Sequence, residues 1–177
     1  MIGRGKSMVH IYYGDGKGKT TAAFGLAVRA LGAGLRVLAV QFFKTQETGE
    51  VSFLDNVENA TVMRPEAGGG FTVTMDEQDF LQTKEEHDRM LAYAAEGANS
   101  GRYDLIVLDE ALDAYEWELM SKSVLQALLC DAPEGVEIVL TGRKPCGLEE
   151  YADYITELKK VKHPYDAGQL ARRGIEY

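Results

Sequence analysis

Met8-Val9-His10-Ile11-Tyr12-Tyr13-Gly14-Asp15-Gly16-Lys17-Gly18-Lys19-Thr20-Thr21 joins three kinds of local sequence in a row. Its first six residues favour a strand, Gly14 to Gly18 is a Gly-rich turn, and Thr20 to Leu35 continues in small and apolar residues that suit a helix. A glycine loop between a strand and a helix suits phosphate binding. Its backbone amides can turn inward on phosphate oxygens, and the helix amino end adds partial positive charge. Lys19 offers a cation and Thr20 a hydroxyl to Mg²⁺, so residues Gly14, Asp15, Gly16, Lys17, Gly18, Lys19, Thr20 and Thr21 are the candidate triphosphate contacts. The loop is irregular. Tyr13 stands five positions before Gly18, where the usual motif has a glycine, and the extra Lys17 makes the loop more compact and more basic.

Outward from this loop, strands and helices alternate. Gly32 and Gly34 close the first helix, and Arg36 to Phe43 reads as a second strand buried on both faces. Lys44 to Gly70 is a mixed stretch with a strand at Ala60 to Met63, running into the lid-like loop Ala67-Gly68-Gly69-Gly70. Asp76 to Glu96 reads as a surface helix packing one side. Leu105 to Leu108 and Val136 to Leu140 are apolar strands ending in Asp109-Glu110 and Thr141-Gly142-Arg143, with a helix expected around Leu119 to Leu129 between them. Tyr154 to Leu158 adds a last strand before a polar tail, Lys159 to Tyr177. The pattern predicts one domain over 1–177, an α/β fold whose mostly parallel, twisted sheet carries helices on both faces. Ligands are then expected at the carboxyl ends of the strands.

Composition narrows the class. The chain has 177 residues, 45% hydrophobic and 27% charged, with only 4 prolines, which fits a globular protein and argues against long disorder. A formal charge of -9 disfavours sequence-general nucleic-acid binding. Cys130 and Cys146 have no metal-ligand spacing and fit reduced thiols, and no apolar run is long enough for a membrane span. A cytoplasmic location without membrane or nucleic-acid partners is the expectation.

The strand ends supply further candidates. Asp109 and Glu110 have the form of a second nucleotide-site motif, with Thr20 and Glu110 holding Mg²⁺ and Asp109 orienting them; the bland alternative is a helix cap. Arg143 either reaches a phosphate or ribose or belongs to a simple turn. Gln41-Phe42-Phe43-Lys44 either faces a flat ligand or packs its two rings in the core.

These segments together resemble the ATP:corrinoid adenosyltransferases, the cob(I)yrinic acid a,c-diamide adenosyltransferases. The resemblance runs through Gly14 to Gly25, Arg29-Ala30-Leu31-Gly32, Gln41-Phe42-Phe43-Lys44 with Gly49-Glu50, and Gly70-Phe71-Thr72. It continues through Val107-Leu108-Asp109-Glu110, Thr141-Gly142-Arg143, Val161 to Gly168 and Gly174-Ile175-Glu176-Tyr177. It implies a P-loop (RecA-like) nucleotide-binding fold, ATP as cosubstrate with Mg²⁺, and a corrinoid as substrate. It also implies transfer of the 5′-deoxyadenosyl group to Co(I) with release of triphosphate, and ATP bound in a reversed sense on the shortened loop. Lys17 and Lys19 would neutralise the leaving group, and Phe71 would help strip the lower ligand from cobalt. Gln41, Phe42, Phe71, Thr72 and Val73 are the corrinoid-side candidates.

Two departures fall on the corrinoid side: Val73 stands where family members often have a tryptophan, and only Met1 to Ser7 precede the first strand, where some members carry a helix covering the corrin. Partners implied are an electron-donor reductase such as a flavoprotein and, left open, a second copy as a homodimer. A P-loop ATPase or small-molecule kinase, or a non-catalytic corrinoid or nucleotide carrier, are the competing readings. The tail with Lys162, His163, Arg172 and Arg173 is either a strap over the site or a solvated end.

Overall fold

The computed structural model describes residues 6–46, 48–65 and 75–177. The elements are β1 (Val9–Tyr13), α1 (Lys19–Gly32), β2 (Val37–Gln41), α2 (Gly49–Leu54), β3 (Ala60–Met63), α3 (Glu77–Asn99), β4 (Leu105–Asp109), α4 (Ala111–Glu116), α5 (Lys122–Cys130), β5 (Glu137–Gly142) and β6 (Tyr154–Glu157). Short 3₁₀ turns lie at Leu148–Tyr151 and Pro164–Ala167. The six strands form one sheet in the order β3-β2-β4-β5-β1-β6, and every pairing is parallel. β1 and β2, consecutive in sequence, are therefore separated by β5 and β4, which brings the ends of β2, β4 and β5 to the same side as the glycine loop.

The sheet is parallel because helices cover both faces. Along β2, Leu38 and Val40 pack with Met90, Leu91 and Ala94 of α3, while the alternate residues Val37 and Ala39 pack with Ala23, Ala27 and Ala30 of α1. All five residues of β2 and of β4 are buried, as expected of central strands that are apolar up to their last residue, Gln41 and Asp109. Small residues on α1 let it lie close to the sheet, and this fixes where the loop preceding it must stand.

Most boundaries follow local chemistry. Asp76 caps α3 by accepting from the Asp79 amide, in a reciprocal capping box. The helix expected around Leu119 to Leu129 begins only at Lys122, because the Ser121 side chain accepts from the Val124 amide; Leu119 and Met120 precede the helix as buried loop residues. Two short helices, α2 and α4, had no sequence signal. Each has six residues, too few for the apolar pattern to repeat. The first helix ends at Gly32 and not at Leu35, with the Leu35 amide bonding back to the Ala30 carbonyl and Gly34 at φ +80°. The lid-like loop expected at 67–70 lies outside the described residues. Among the described residues no helix is long and apolar enough to cross a membrane.

Candidate active site

The glycines after β1 are required first by packing. The chain leaving β6 runs against the loop: the Gly16 amide donates to the Leu158 carbonyl at 2.8 Å, and the Leu158 amide to the Tyr13 carbonyl at 2.8 Å. A Cβ at Gly14 would stand 2.3 Å from the Leu158 oxygen and one at Gly16 2.7 Å from it, so no other residue fits either position without moving backbone. Gly14 is also at φ +122°. Lys19 turns back to donate to the Gly16 carbonyl at 2.8 Å. Burial lowers its pKa, opposed mainly by Asp113.

Asp109 organises the neighbouring strand ends. It is fully buried and accepts four side-chain hydrogen bonds: from Thr20 at 2.9 Å and Thr141 at 2.7 Å on Oδ1, and from Gln41 at 3.1 Å and Lys44 at 2.9 Å on Oδ2. The loop helix and the ends of β2, β4 and β5 are thereby tied to one carboxylate. Thr141 also accepts the Glu110 amide at 2.8 Å. Burial works against the charge of Lys44, but Asp109 and Glu110 outweigh it and leave its pKa above the ordinary value. Glu110 sits at φ 63°, a left-handed conformation that strains a side-chain-bearing residue and turns β4 into α4. Burial, reinforced by Asp109, pushes its carboxyl up to about 7.

Two cavities meet here. The larger, 710 Å³, is lined by Asp15 to Thr21 of the loop together with Lys44, Glu110, Asp113 and Arg143, and by Ile175, Glu176 and Tyr177. The smaller, 350 Å³, shares Lys44, Glu110, Asp113 and Arg143 and adds Phe43, Thr48 and Trp117. Burial raises the pKa of Asp113, and its Oδ1 and the hydroxyl of Thr48 are buried without a hydrogen-bond partner among the described residues.

The arrangement brings together Asp15 to Thr21, Glu110 and Arg143 of the sequence candidates on one cavity, with Gly14 and Asp109 supporting them from behind. It does not bring Gln41 or Phe42 to either cavity. The Gln41 amide nitrogen donates to Asp109, and Phe42 packs edge-on to the buried ring of His87, because the first residue beyond β2 points into the α3 side of the sheet. Phe43 faces the smaller cavity instead, edge-on to Trp117. Phe71, Thr72 and Val73 lie outside the described residues.

Sequence reasoning passed over Asp113, Thr48 and Trp117, since they depend on α2 and α4, and it did not place Lys44 on Asp109. Of the tail, His163 and Gly174 to Tyr177 line the larger cavity, while Val161 and Leu170 stand exposed.

A family model described as ATP:corrinoid adenosyltransferase BtuR/CobO/CobP matches residues 5–177. The chain belongs to this family. It is 38% identical over 184 residues to a corrinoid adenosyltransferase of Escherichia coli K12, covering 97% of this chain and 86% of that protein. It is 36% identical to a corrinoid adenosyltransferase of Pseudomonas aeruginosa (98% and 84% covered) and 33% identical to corrinoid adenosyltransferase CobA of Salmonella typhimurium (97% and 86% covered). For this member of the adenosyltransferase family, the cavity at the glycine loop is thus the natural place to seek the nucleotide.

Among the described residues no group of three His, Cys, Asp or Glu side chains could cage a metal ion. A hard divalent cation held by one or two protein oxygens plus phosphates needs no such cage, and Glu110 and Thr20, both lining the cavity, suit that role.

Proposed function

We propose that this chain transfers the 5′-deoxyadenosyl group of ATP to the Co(I) centre of a corrinoid and releases triphosphate. The observation that carries the reading is the larger cavity, where a lysine-bearing glycine loop faces the strand-end carboxylates in a chain of the adenosyltransferase family. The fold is read as a P-loop, RecA-like domain spanning 1–177.

The cobalt lone pair attacks C5′ of the ribose, a Co–C bond forms, and the C5′–O bond breaks with its electron pair leaving on triphosphate. Co(I) is itself a strong nucleophile, so the protein's tasks are orientation and charge stabilisation. Loop residues Lys17 to Thr21, with the Lys17 and Lys19 ammonium groups and Arg143, bind the triphosphate, while the Gly14 and Gly16 amides are spent on the Arg143 and Leu158 carbonyls and hold the loop in shape. Lys19 is well suited: its contact to the Gly16 carbonyl keeps the ammonium on the loop, and its partial burial strengthens its pull on a leaving phosphate. Mg²⁺, when bound, would add positive charge beside the leaving group, held by Thr20 and Glu110. Asp109 fixes Thr20 through the 2.9 Å hydrogen bond and, through Thr141, the backbone that presents Glu110.

On the corrinoid side, Phe71 with Thr72 and Val73 is assigned to excluding the lower cobalt ligand. A cytoplasmic location, a flavoprotein-type reductase as electron donor and a homodimer complete the proposal.

The test is anaerobic incubation with MgATP and chemically reduced cobalamin, following the corrinoid absorbance and identifying the inorganic product. Corrinoid-dependent release of intact triphosphate is expected. Orthophosphate or ADP released without corrinoid overturns the reading in favour of an ATPase or kinase.

A further inference from the structure

Residues 172–177 form a self-closed turn. The Ile175 and Glu176 amides donate to the Arg172 carbonyl, the Gly174 amide donates to a main-chain oxygen of Tyr177, and Gly174 stands at φ +76°. The turn presents Glu176 to two cations. Its carboxylate accepts from Lys17 Nζ at 2.9 Å and from Arg172 through the backbone amide at 2.8 Å, Nε at 3.2 Å and the guanidinium end at 3.1 Å. Arg172, first, and Lys17 hold its carboxyl down at about 2, so it is charged at any working pH.

Lys17 is the residue that makes this loop more basic than the usual motif, and it faces the triphosphate cavity. A carboxylate there and a phosphate entering the loop need the same ammonium. The Lys17–Glu176 pair is open to solvent, with side chains 45% and 21% exposed, and such pairs are weak and easily exchanged. Arg172 gives Glu176 a second partner on which to remain when Lys17 is taken over. The other groups around the loop do not compete in this way: Asp15 accepts the Lys160 amide, and Asp113 lies deeper, beside Lys19.

We propose that Glu176 is a positioning residue of the nucleotide site: it competes with the triphosphate for Lys17, so that nucleotide binding exchanges the carboxylate for phosphate while Arg172 retains Glu176 and keeps the turn over the cavity. The inference rests on the functional reading only in taking the loop to bind polyphosphate.

The experiment is calorimetric titration of the full chain with inorganic tripolyphosphate, then with ATP. Glu176→Gln, which keeps the shape and removes the charge, tightens tripolyphosphate binding about two- to fivefold. In turnover the gain falls on KM for ATP. Arg172→Gln acts in the opposite direction, because Glu176 is then left to Lys17 alone, and binding weakens. In a Lys17→Gln background the effect of Glu176→Gln disappears. A turn that is merely packed there would loosen in both variants and shift binding the same way in each. That result, or an effect of Glu176→Gln that survives without Lys17, overturns the inference. If the unmodified chain binds neither tripolyphosphate nor ATP, the functional reading itself falls and takes this inference with it.

Discussion

Asp109 and Glu176 each bind a lysine of the same cavity, Lys44 and Lys17, and they are held by different means. Asp109 is out of contact with water, fixed at the end of a central strand, and accepts four side-chain hydrogen bonds from three other elements and the Lys44 loop. Glu176 stands on an exposed turn beyond the last strand and is bound by ion pairs that water can replace. A buried charge with every partner in place is costly to disturb, whereas an exposed pair exchanges readily. One side of the cavity can therefore serve as a rigid reference while the other adjusts to what enters.

The largest effect is expected from breaking the rigid side. Asp109→Ala leaves the Lys44 ammonium and the Gln41 amide without their acceptor in a buried setting, at a cost of about 3 to 5 kcal/mol in folding stability. Urea unfolding of the two proteins checks this; a loss below about 1 kcal/mol would mean that the cluster relaxes as freely as the tail does.

Lys19→Ala probes the point where both sides meet the loop. Loss of a charge-assisted contact in a partly dry site costs roughly 2 to 4 kcal/mol of transition-state stabilisation, about 30- to 1000-fold in rate. Anaerobic adenosylation assays measure it, and near-normal turnover would remove Lys19 from the chemistry.

His87 props the strand-end side from behind, its ring nitrogens against the carbonyls of Phe42 and Leu119. Burial lowers its pKa to about 4 even though both carbonyls favour the proton. The folded ring therefore takes up its proton at lower pH than the unfolded chain, which protonates near the ordinary value of about 6.5. Stability is complete above that value and is lost as pH falls toward 4, by roughly 2 kcal/mol between pH 7 and 5. Denaturant midpoints across that range should show the slope, and His87→Gln should flatten it.

The smallest effect belongs to the tail side. The Lys160 amide donates to Asp15, chiefly through this contact holding the Asp15 carboxyl below its usual range. Asp15→Asn should leave the melting temperature unmoved and speed amide exchange at Lys160. A cooperative loss of folding would show that the tail is as tightly built in as the strand ends.

The sequence reached far into this protein where the signal was local or periodic. The apolar runs ending at Asp109 and Thr141 were legible because a parallel strand buried on both faces reads as nearly continuous apolar residues; β1 and the half-buried edge strand β3 at Ala60–Met63 showed through β-prone residues, and the phosphate loop through its glycines. Fold class and family followed from these. Tertiary structure alone decided the strand order that sets β4 and β5 between β1 and β2, and so which side chains converge on Asp109. It alone turned Phe42 into the core and Phe43 toward the cavity, a choice made by one residue of chain direction just beyond a strand. The six-residue helices carrying Asp113 and Thr48's neighbours left no period to read, and Glu176 meets Lys17 across 159 residues of sequence, a pairing that only the packing of the chain beyond β6 against Gly14 and Gly16 brings about.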